Sequence, residues 1–119
     1  MSEHRRALVV DDNTTNRMLA KAFLTRLGWA IDEADSGENA LKLFAAHDYP
    51  LVLLDISMPG LSGEETCTTM RSLGKTTRII AYTAHAFPEE REKFLSIGFD
   101  DILVKPINRQ QLEALIGPA

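Results

Sequence analysis

The sequence predicts an α/β fold in which five parallel strands form a doubly wound sheet. Short apolar runs alternate with segments of helical periodicity along the 119 residues, an alternation typical of parallel sheets. Right-handed crossovers between such strands place helices on both faces of the sheet. Because no repeat, linker or low-complexity segment divides the chain, we expect a single domain over residues 1–119.

The first strand is predicted at residues 7–10, where ALVV precedes two aspartates. A helix is expected next, because apolar residues then recur at helical spacing. We expect this helix to end near Gly28, a residue suited to a helix C-terminus. Its apolar residues are Leu19, Ala20, Phe23, Leu24 and Leu27.

The second and third strands differ in apolar content. WAIDEA at residues 29–34 is the least apolar strand and is assigned to an edge of the sheet, whereas LVLLD at residues 51–55 has the composition of a fully buried strand. Ser36 predicts the N-cap of the helix between them. The apolar face of that helix is expected to contain Ala40, Leu41, Phe44 and Ala45.

A capping box marks the start of the third helix. Ser62 and Glu65, three residues apart, have the side chains that this motif requires. The fourth strand is then predicted at residues 78–83, with the sequence RIIAYT. The helix before it is expected to bury Cys67, Met70 and Leu73.

The last two helices flank a fifth strand, predicted at residues 101–104. Pro88 in a first turn and Gly98 at a C-terminus bound the fourth helix, which carries two apolar residues, Phe94 and Leu95. Asn108 with Gln111 predicts the cap of the fifth helix. Leu112, Leu115 and Ile116 form its apolar face.

Polar side chains follow four of these strands at the point where each strand ends. They are Asp11 and Asp12, then Asp55, Thr83 and Lys105. Parallel strands point their carboxyl ends toward one edge, where the ligands of such folds bind. We therefore expect three carboxylates, a hydroxyl and an ammonium to share one crevice.

Charge repulsion in that crevice predicts a bound cation. Two unit charges about 4 Å apart interact by roughly 4 kcal/mol at an effective dielectric near 20. Lys105 offsets one carboxylate, and a divalent cation would neutralise the other two. An all-oxygen ligand set suits Mg²⁺, which takes one or two carboxylates and keeps several waters.

Composition excludes several other classes of function. A net charge of −4 and a pI near 5.3 provide no positive field for nucleic acid or for anionic membranes. The polar N-terminus leads into only four apolar residues, too few for a signal peptide or a membrane span. The single cysteine, Cys67, suits a reducing compartment, so we expect a cytoplasmic protein.

Four motif blocks, in order and with matching spacing, resemble the receiver domain of two-component response regulators. They are VVDDN (9–13), LLDISMPGLSG (53–63), AYTAHA (81–86) and DDILVKPI (100–107). The chain is most similar to the receivers of hybrid sensor histidine kinases. The resemblance spans a core of about residues 7–116 and implies a flavodoxin-like, CheY-like sheet with strand order 2-1-3-4-5.

The resemblance also implies a role for each residue of the crevice. Asp55 would be the phosphoacceptor, and its carboxylate would attack the phosphorus of a phosphohistidine. Asp12 would bind Mg²⁺ directly and Asp11 through water, with Asp55 and the backbone carbonyl of Ser57 completing the protein ligands. Mn²⁺ is a candidate substitute for Mg²⁺.

The resemblance assigns two further residues to the phosphoryl group and two to conformation. Lys105 would pair with one phosphoryl oxygen and Thr83 would donate its hydroxyl to another. Many receivers pair this threonine with an aromatic residue on the fifth strand, but Ile102 stands there, so we expect small loop shifts in place of a ring rotation. The Lys105-Pro106 bond is expected to be cis by the same resemblance.

Two other functions compete with a phosphorylated signalling module. A phosphohydrolase of the haloacid-dehalogenase type also uses an aspartyl nucleophile and Mg²⁺, but its second aspartate, the general acid, is missing after both Asp55 and Asp12. An inert receiver-like interaction domain is disfavoured by the complete set of five crevice residues. The chain is therefore not expected to be a turnover enzyme on external substrates.

Resemblance to receivers also defines the expected partners. These are a histidine kinase or a histidine phosphotransfer domain, with no direct contact to nucleic acid and no membrane insertion. A monomer is favoured. We expect the chain to be a piece of a longer protein, because no output domain is present and both ends lie close to the core.

Overall fold

The computed structural model describes residues 5–74, 76–84, 87–105 and 107–116, and within them the chain forms five strands and five helices in strict alternation. The strands are β1 Arg5–Val10, β2 Trp29–Ala34, β3 Leu51–Asp55, β4 Arg78–Thr83 and β5 Asp101–Val104. The helices are α1 Thr14–Arg26, α2 Gly37–Ala46, α3 Gly63–Ser72, α4 Pro88–Ile97 and α5 Arg109–Ile116. No helix in the described ranges has the length and apolar character needed to cross a membrane.

All strand pairs are parallel, and the sheet order is β2-β1-β3-β4-β5. This confirms the predicted fold class and strand order, including the edge position of β2. The register aligns Val10 with Leu54, Asp55 with Tyr82, and Thr83 with Val104. The carboxyl ends of the four adjacent strands β1, β3, β4 and β5 therefore lie along one edge.

Each face of the sheet has its own hydrophobic core. Val52 and Leu54 of β3 pack toward α2, α3 and α4, whereas Leu51 and Leu53 pack toward α1 and α5. Every residue of β3 is buried, as expected for a central strand covered by helices on both faces. β2 at the edge is mostly half-exposed, which agrees with its lower apolar content.

The predicted helix caps are present in the structure. The side chain of Ser36 accepts from the backbone of Asn39, and Ser62 and Glu65 form a reciprocal capping box. The side chain of Asn108 accepts from the backbone N–H of Gln111. The cap of α1 was not predicted. It is Asn13, whose side chain accepts from Asn16, so neither Asp11 nor Asp12 is used as a cap.

Four residues expected on apolar helix faces are exposed, namely Leu19, Ala45, Leu73 and Leu95. Each helix packs on the sheet with a stripe narrower than its run of apolar residues. In α1 the buried positions are Ala20, Leu24 and the C-cap Leu27, and Phe23 is half-buried. The remaining apolar side chains lie at the stripe edge and face solvent.

Gly63 allows α3 to begin directly against the end of β3. A Cβ atom at this position would collide with the backbone oxygen of Asp55 and would lie 2.8 Å from Cα of Ile56. The backbone N–H of Gly63 also donates to the carbonyl of Ile56 at 3.2 Å. The absence of a side chain thus lets the turn after Asp55 stay compact.

We expect Gly63→Ala to lower the free energy of unfolding by about 2 kcal/mol or more. The atoms that the new Cβ would contact belong to the backbone, so a side-chain rotation cannot relieve the clash. Gly74→Ala is the matched control. Gly74 has φ of 75° and nothing within 4 Å of an added Cβ, so its substitution carries only the left-handed backbone penalty of about 1 kcal/mol. Urea denaturation measures both, and equal losses would contradict a steric role for Gly63.

Candidate phosphoacceptor site

Asp11 is a fully buried carboxylate at the end of β1. Its backbone N–H donates to the carbonyl of Ala34 at 3.1 Å, which extends the pairing with β2 by one residue. Its Oδ1 atom accepts from the backbone N–H of Asn13 at 2.9 Å. The Oδ2 atom is also buried and makes no hydrogen bond within the described residues. Asp12, the next residue, is exposed.

Asp55 ends β3, with only 2% of its surface exposed. Its Oδ1 atom accepts from Lys105 Nζ at 3.0 Å and, more weakly, from the backbone N–H of Ser57 at 3.3 Å. The N–H of Ile56 donates to the carbonyl of Tyr82, so the chain leaves β3 still attached to β4. These contacts hold the carboxylate of Asp55 at the sheet edge.

Lys105 joins the two buried carboxylates. Its Nζ atom lies 3.0 Å from Asp55 Oδ1 and 3.3 Å from Asp11 Oδ2. Its backbone N–H donates to the carbonyl of Thr83 at 2.7 Å, which places the lysine directly after β5 and beside the end of β4. The side chain of Lys105 is 20% exposed, so the ammonium is accessible to solvent while it contacts both carboxylates.

Burial determines the acidity of Asp55. The pKa of this carboxyl is raised from 3.8 to about 6, mainly by the loss of hydration on burial and also by the nearby charge of Asp11. The hydrogen bond and the positive charge of Lys105 act in the opposite direction and are outweighed. Asp55 therefore needs more positive charge than Lys105 supplies if it is to be fully ionised as a nucleophile.

The three carboxylates fit a divalent cation. One oxygen each of Asp11, Asp12 and Asp55 lies within 4.8 Å of the other two. Asp11 Oδ2 offers a buried lone pair that no hydrogen bond uses, and the exposed Asp12 opens the group to solvent. Hard carboxylate oxygens on one open side suit Mg²⁺, which retains several of its waters.

The structure brings together most of the residues that the sequence singled out. Asp11, Asp12, Asp55 and Lys105 form one cluster, and Thr83 lies at the same edge. Ile102 instead aligns with Ala81 on β4 and is buried in the core beneath α4. Ser57 is exposed in the loop after β3. Pro106, and thus the predicted cis bond, lies outside the described residues.

Two residues near the cluster were missed from the sequence. Arg17 donates to the backbone carbonyl of Asp11 at 2.7 Å and to Glu33 on β2 at 3.3 Å, so it supports the acidic turn from α1. Its position one helical turn after Asn13 was the available signal. Tyr82 lies with its ring under the ammonium of Lys105, at 4.8 Å from ring centroid to Nζ, and no pattern in the sequence indicated this.

Comparison with known proteins identifies the family. A family model described as the response regulator receiver domain matches residues 7–117. The chain belongs to the response regulator receiver domain family. Receivers are signalling modules of two-component systems, so this chain is a module of phosphoacceptor signalling.

One relative and two solved structures illustrate the similarity. The receiver is 40% identical over 121 residues to hybrid signal transduction histidine kinase I of Dictyostelium discoideum, covering 94% of this chain but only 7% of that protein. The chemotaxis protein CheY4 of Vibrio cholerae superposes with a TM-score of 0.90 at 25% identity, covering 96% of this chain and 97% of that one.

The second solved structure contains a modified site. It is a response regulator protein from Burkholderia pseudomallei with a phosphorylated aspartic acid, a calcium ion and citrate. The superposition has a TM-score of 0.84 at 27% identity and covers 92% of this receiver and 65% of that chain.

The raised pKa of Asp55 predicts a pH-dependent gain in stability for Asp55→Asn in the metal-free receiver. Because the folded pKa of about 6 exceeds the unfolded value of 3.8, the wild-type free energy of unfolding falls as pH rises between those values. Asparagine removes this loss. The variant should therefore gain about 2 kcal/mol relative to wild type between pH 4 and pH 7.5.

Denaturation in EDTA at several pH values measures this difference, with Asp48→Asn as the control because Asp48 is an exposed carboxyl before β3. Added Mg²⁺ should reverse the order of the two proteins, since it stabilises only the complete carboxylate set. A stability difference that does not change with pH would show that burial of Asp55 carries no such penalty.

Proposed function

We propose that this receiver is the phosphoacceptor of a two-component phosphorelay. Asp55 takes a phosphoryl group from a phosphohistidine of a histidine kinase or a histidine phosphotransfer domain, in a reaction that requires Mg²⁺. The proposal rests on one arrangement: a buried carboxylate at a strand end, held by Lys105 and grouped with Asp11 and Asp12. Such a site suits phosphoryl transfer, which depends on positioning and charge stabilisation.

The transfer itself is a displacement at phosphorus. A carboxylate oxygen of Asp55 forms an O–P bond while the N–P bond to the imidazole breaks, and the electron pair of that bond returns to the imidazole nitrogen. The product is an acyl phosphate on Asp55 and a free histidine on the partner. The strand-end position of Asp55 and its hydrogen bond from Lys105 support this role for its carboxylate.

A bound Mg²⁺ would supply the positive charge that brings an anionic phosphoryl group to these carboxylates. Asp12, Asp55 and the backbone carbonyl of Ser57 would hold it directly and Asp11 through water, with Mn²⁺ as a candidate substitute. The buried Asp11 Oδ2 supports this assignment, since it accepts no hydrogen bond within the described residues although Lys105 Nζ lies 3.3 Å away. The Burkholderia response regulator, solved with both a phosphorylated aspartic acid and a calcium ion, supports it independently.

Lys105 and Thr83 are assigned to the phosphoryl oxygens. The Lys105 ammonium lies 3.0 Å from the acceptor oxygen, so a short movement would carry it to an oxygen of the new phosphoryl group. Thr83 ends β4 beside Lys105 and would donate its hydroxyl. Both contacts stabilise negative charge where the transfer creates it.

Phosphorylation is proposed to change partner interactions through the loop after β4. Engagement of Thr83 would change the surface formed by α4, β5 and α5. Ile102 is already buried and has no aromatic ring to rotate, so small shifts of α4 and α5 are proposed. Helix α1, with the exposed side chains of Met18 and Leu19, is assigned to docking of the phosphohistidine partner.

Incubation with acetyl phosphate and Mg²⁺ tests the acceptor assignment. Intact mass should rise by about 80 Da, for one phosphoryl group, and Asp55→Asn should abolish the gain. The matched control Asp48→Asn should label like wild type. Labelling of the Asp55→Asn variant at another residue would contradict the assignment. Sustained Mg²⁺-dependent release of phosphate from a monoester would favour the phosphohydrolase alternative.

Metal binding is tested separately with Asp12→Ala. We expect the affinity for Mg²⁺ to fall about tenfold or more, because one of the few carboxylate ligands is removed while the fold is untouched at an exposed site. Trp29 begins β2 at the opposite edge of the sheet, so its fluorescence would not report on the metal site. Isothermal titration calorimetry is therefore the suitable measurement. Unchanged affinity, with Asp48→Ala as control, would place the metal elsewhere.

A further inference from the structure

We propose that Tyr82 is a positioning residue for Lys105, whose ammonium it holds over the face of its ring. The inference rests on the proposed function, because it concerns how Lys105 is presented to the phosphoryl group. Tyr82 immediately precedes Thr83 on β4, and its role is distinct from that of the threonine hydroxyl.

Tyr82 lies on β4, between the strand that ends at Asp55 and the strand that leads to Lys105. Tyr82 aligns with Asp55 on β3 and with Leu103 on β5, two residues before Lys105. Its ring is 1% exposed and packs in the core beneath α1 and α5. The Lys105 Nζ atom lies 4.8 Å from the ring centroid, within the distance at which a cation is attracted to an aromatic face.

Three groups thus surround one ammonium. Asp55 Oδ1 and Asp11 Oδ2 contact it at 3.0 and 3.3 Å, and the ring of Tyr82 lies against it from the core. Lysine has a long flexible stem with several rotamers of similar energy. An aliphatic residue at position 82 would contact the stem but would not attract the charge, so the ammonium would spend more time in solvent.

The hydroxyl of Tyr82 has a hydrogen-bond partner of its own, separate from the contact of the ring with Lys105. The Ile107 backbone N–H donates a hydrogen bond to the hydroxyl, which connects β4 to the segment that follows β5. Burial and the nearby charge of Asp11 raise the pKa of Tyr82 to about 12, so the ring is neutral under physiological conditions. A neutral ring packed between the buried residues of α1 and α5 keeps its face toward Lys105.

The ring contact itself can be measured without any variant. The protons on Cε of Lys105 lie next to Nζ over the ring, so ring current should shift their NMR signals upfield of the values for an exposed lysine. Mg²⁺ or phosphorylation is not needed for this measurement. Signals at exposed-lysine values in the wild-type receiver would overturn the proposal, whatever the outcome for the proposed function.

Two substitutions separate the ring from the hydroxyl. Tyr82→Leu should move the Lys105 signals to exposed-lysine values and slow phosphorylation by saturating acetyl phosphate about fivefold to tenfold. Tyr82→Phe keeps the ring and loses only the bond to Ile107, so both the signals and the rate should stay within about twofold of wild type. An equally slow Tyr82→Phe would show that the hydroxyl is responsible and would overturn the proposal.

Leu112→Ala controls for a general loss of packing. Leu112 lies on α5 in the same core cluster and is fully buried, so its truncation costs stability without removing the ring. In the Leu112→Ala variant the Lys105 signals should stay upfield, and the rate of phosphorylation should stay near that of wild type. If Leu112→Ala slows phosphorylation as much as Tyr82→Leu does, Tyr82 acts only through core packing and the proposal is overturned. If no protein is phosphorylated, including wild type, the proposed function fails, and the ring-current result still decides the geometry.

Discussion

The Lys105 ammonium shared by Asp55 and Asp11 is the interaction on which this receiver depends. Two carboxylates buried side by side cannot both stay ionised at low cost without a nearby positive charge. A single ammonium, 3.0 Å from one and 3.3 Å from the other, offsets part of their charge. The offset is incomplete, because the pKa of Asp55 is still raised to about 6, and the remaining need for charge makes the site receptive to a divalent cation.

The sheet provides the rigidity that this cluster requires. The backbone of Lys105 is hydrogen-bonded to that of Thr83, and the turn after Asp55 is bonded to β4 through Ile56. Gly63 lets α3 pack directly against the backbone of Asp55. Arg17 of α1 donates a hydrogen bond to the backbone carbonyl of Asp11. These supporting contacts come from β4, α3 and α1, so the position of the Asp55 cluster is a property of the whole fold.

The opposite edge of the sheet shows the contrasting arrangement. Arg71 on α3 donates to the carbonyls of Gly98 and Thr77 and to the carboxylate of Asp100, at 2.7 to 2.8 Å. Asp100 also accepts from the backbone of Ile79. This network satisfies its charges internally and connects α3, β4 and β5. The amino edge thus satisfies its charges with protein groups, whereas at the carboxyl edge Asp11 Oδ2 accepts no hydrogen bond within the described residues and has only Lys105 Nζ, 3.3 Å away, as a partner.

The sequence by itself determined the order of the strands, the helix caps at Ser36 and Ser62, and the residues that follow each strand. It also determined the strand bounds except the start of β1, which was predicted at Ala7 and lies at Arg5 because the polar Arg5 and Arg6 also pair with β2. These features are local, since they depend on apolar runs and on side chains three residues apart. Tertiary structure alone decided that Leu19 and Leu73 are exposed, that Asn13 caps α1, and that Tyr82 lies under Lys105. The contact of Lys105 with Asp55 spans fifty residues, so its geometry depends on how strands and helices pack.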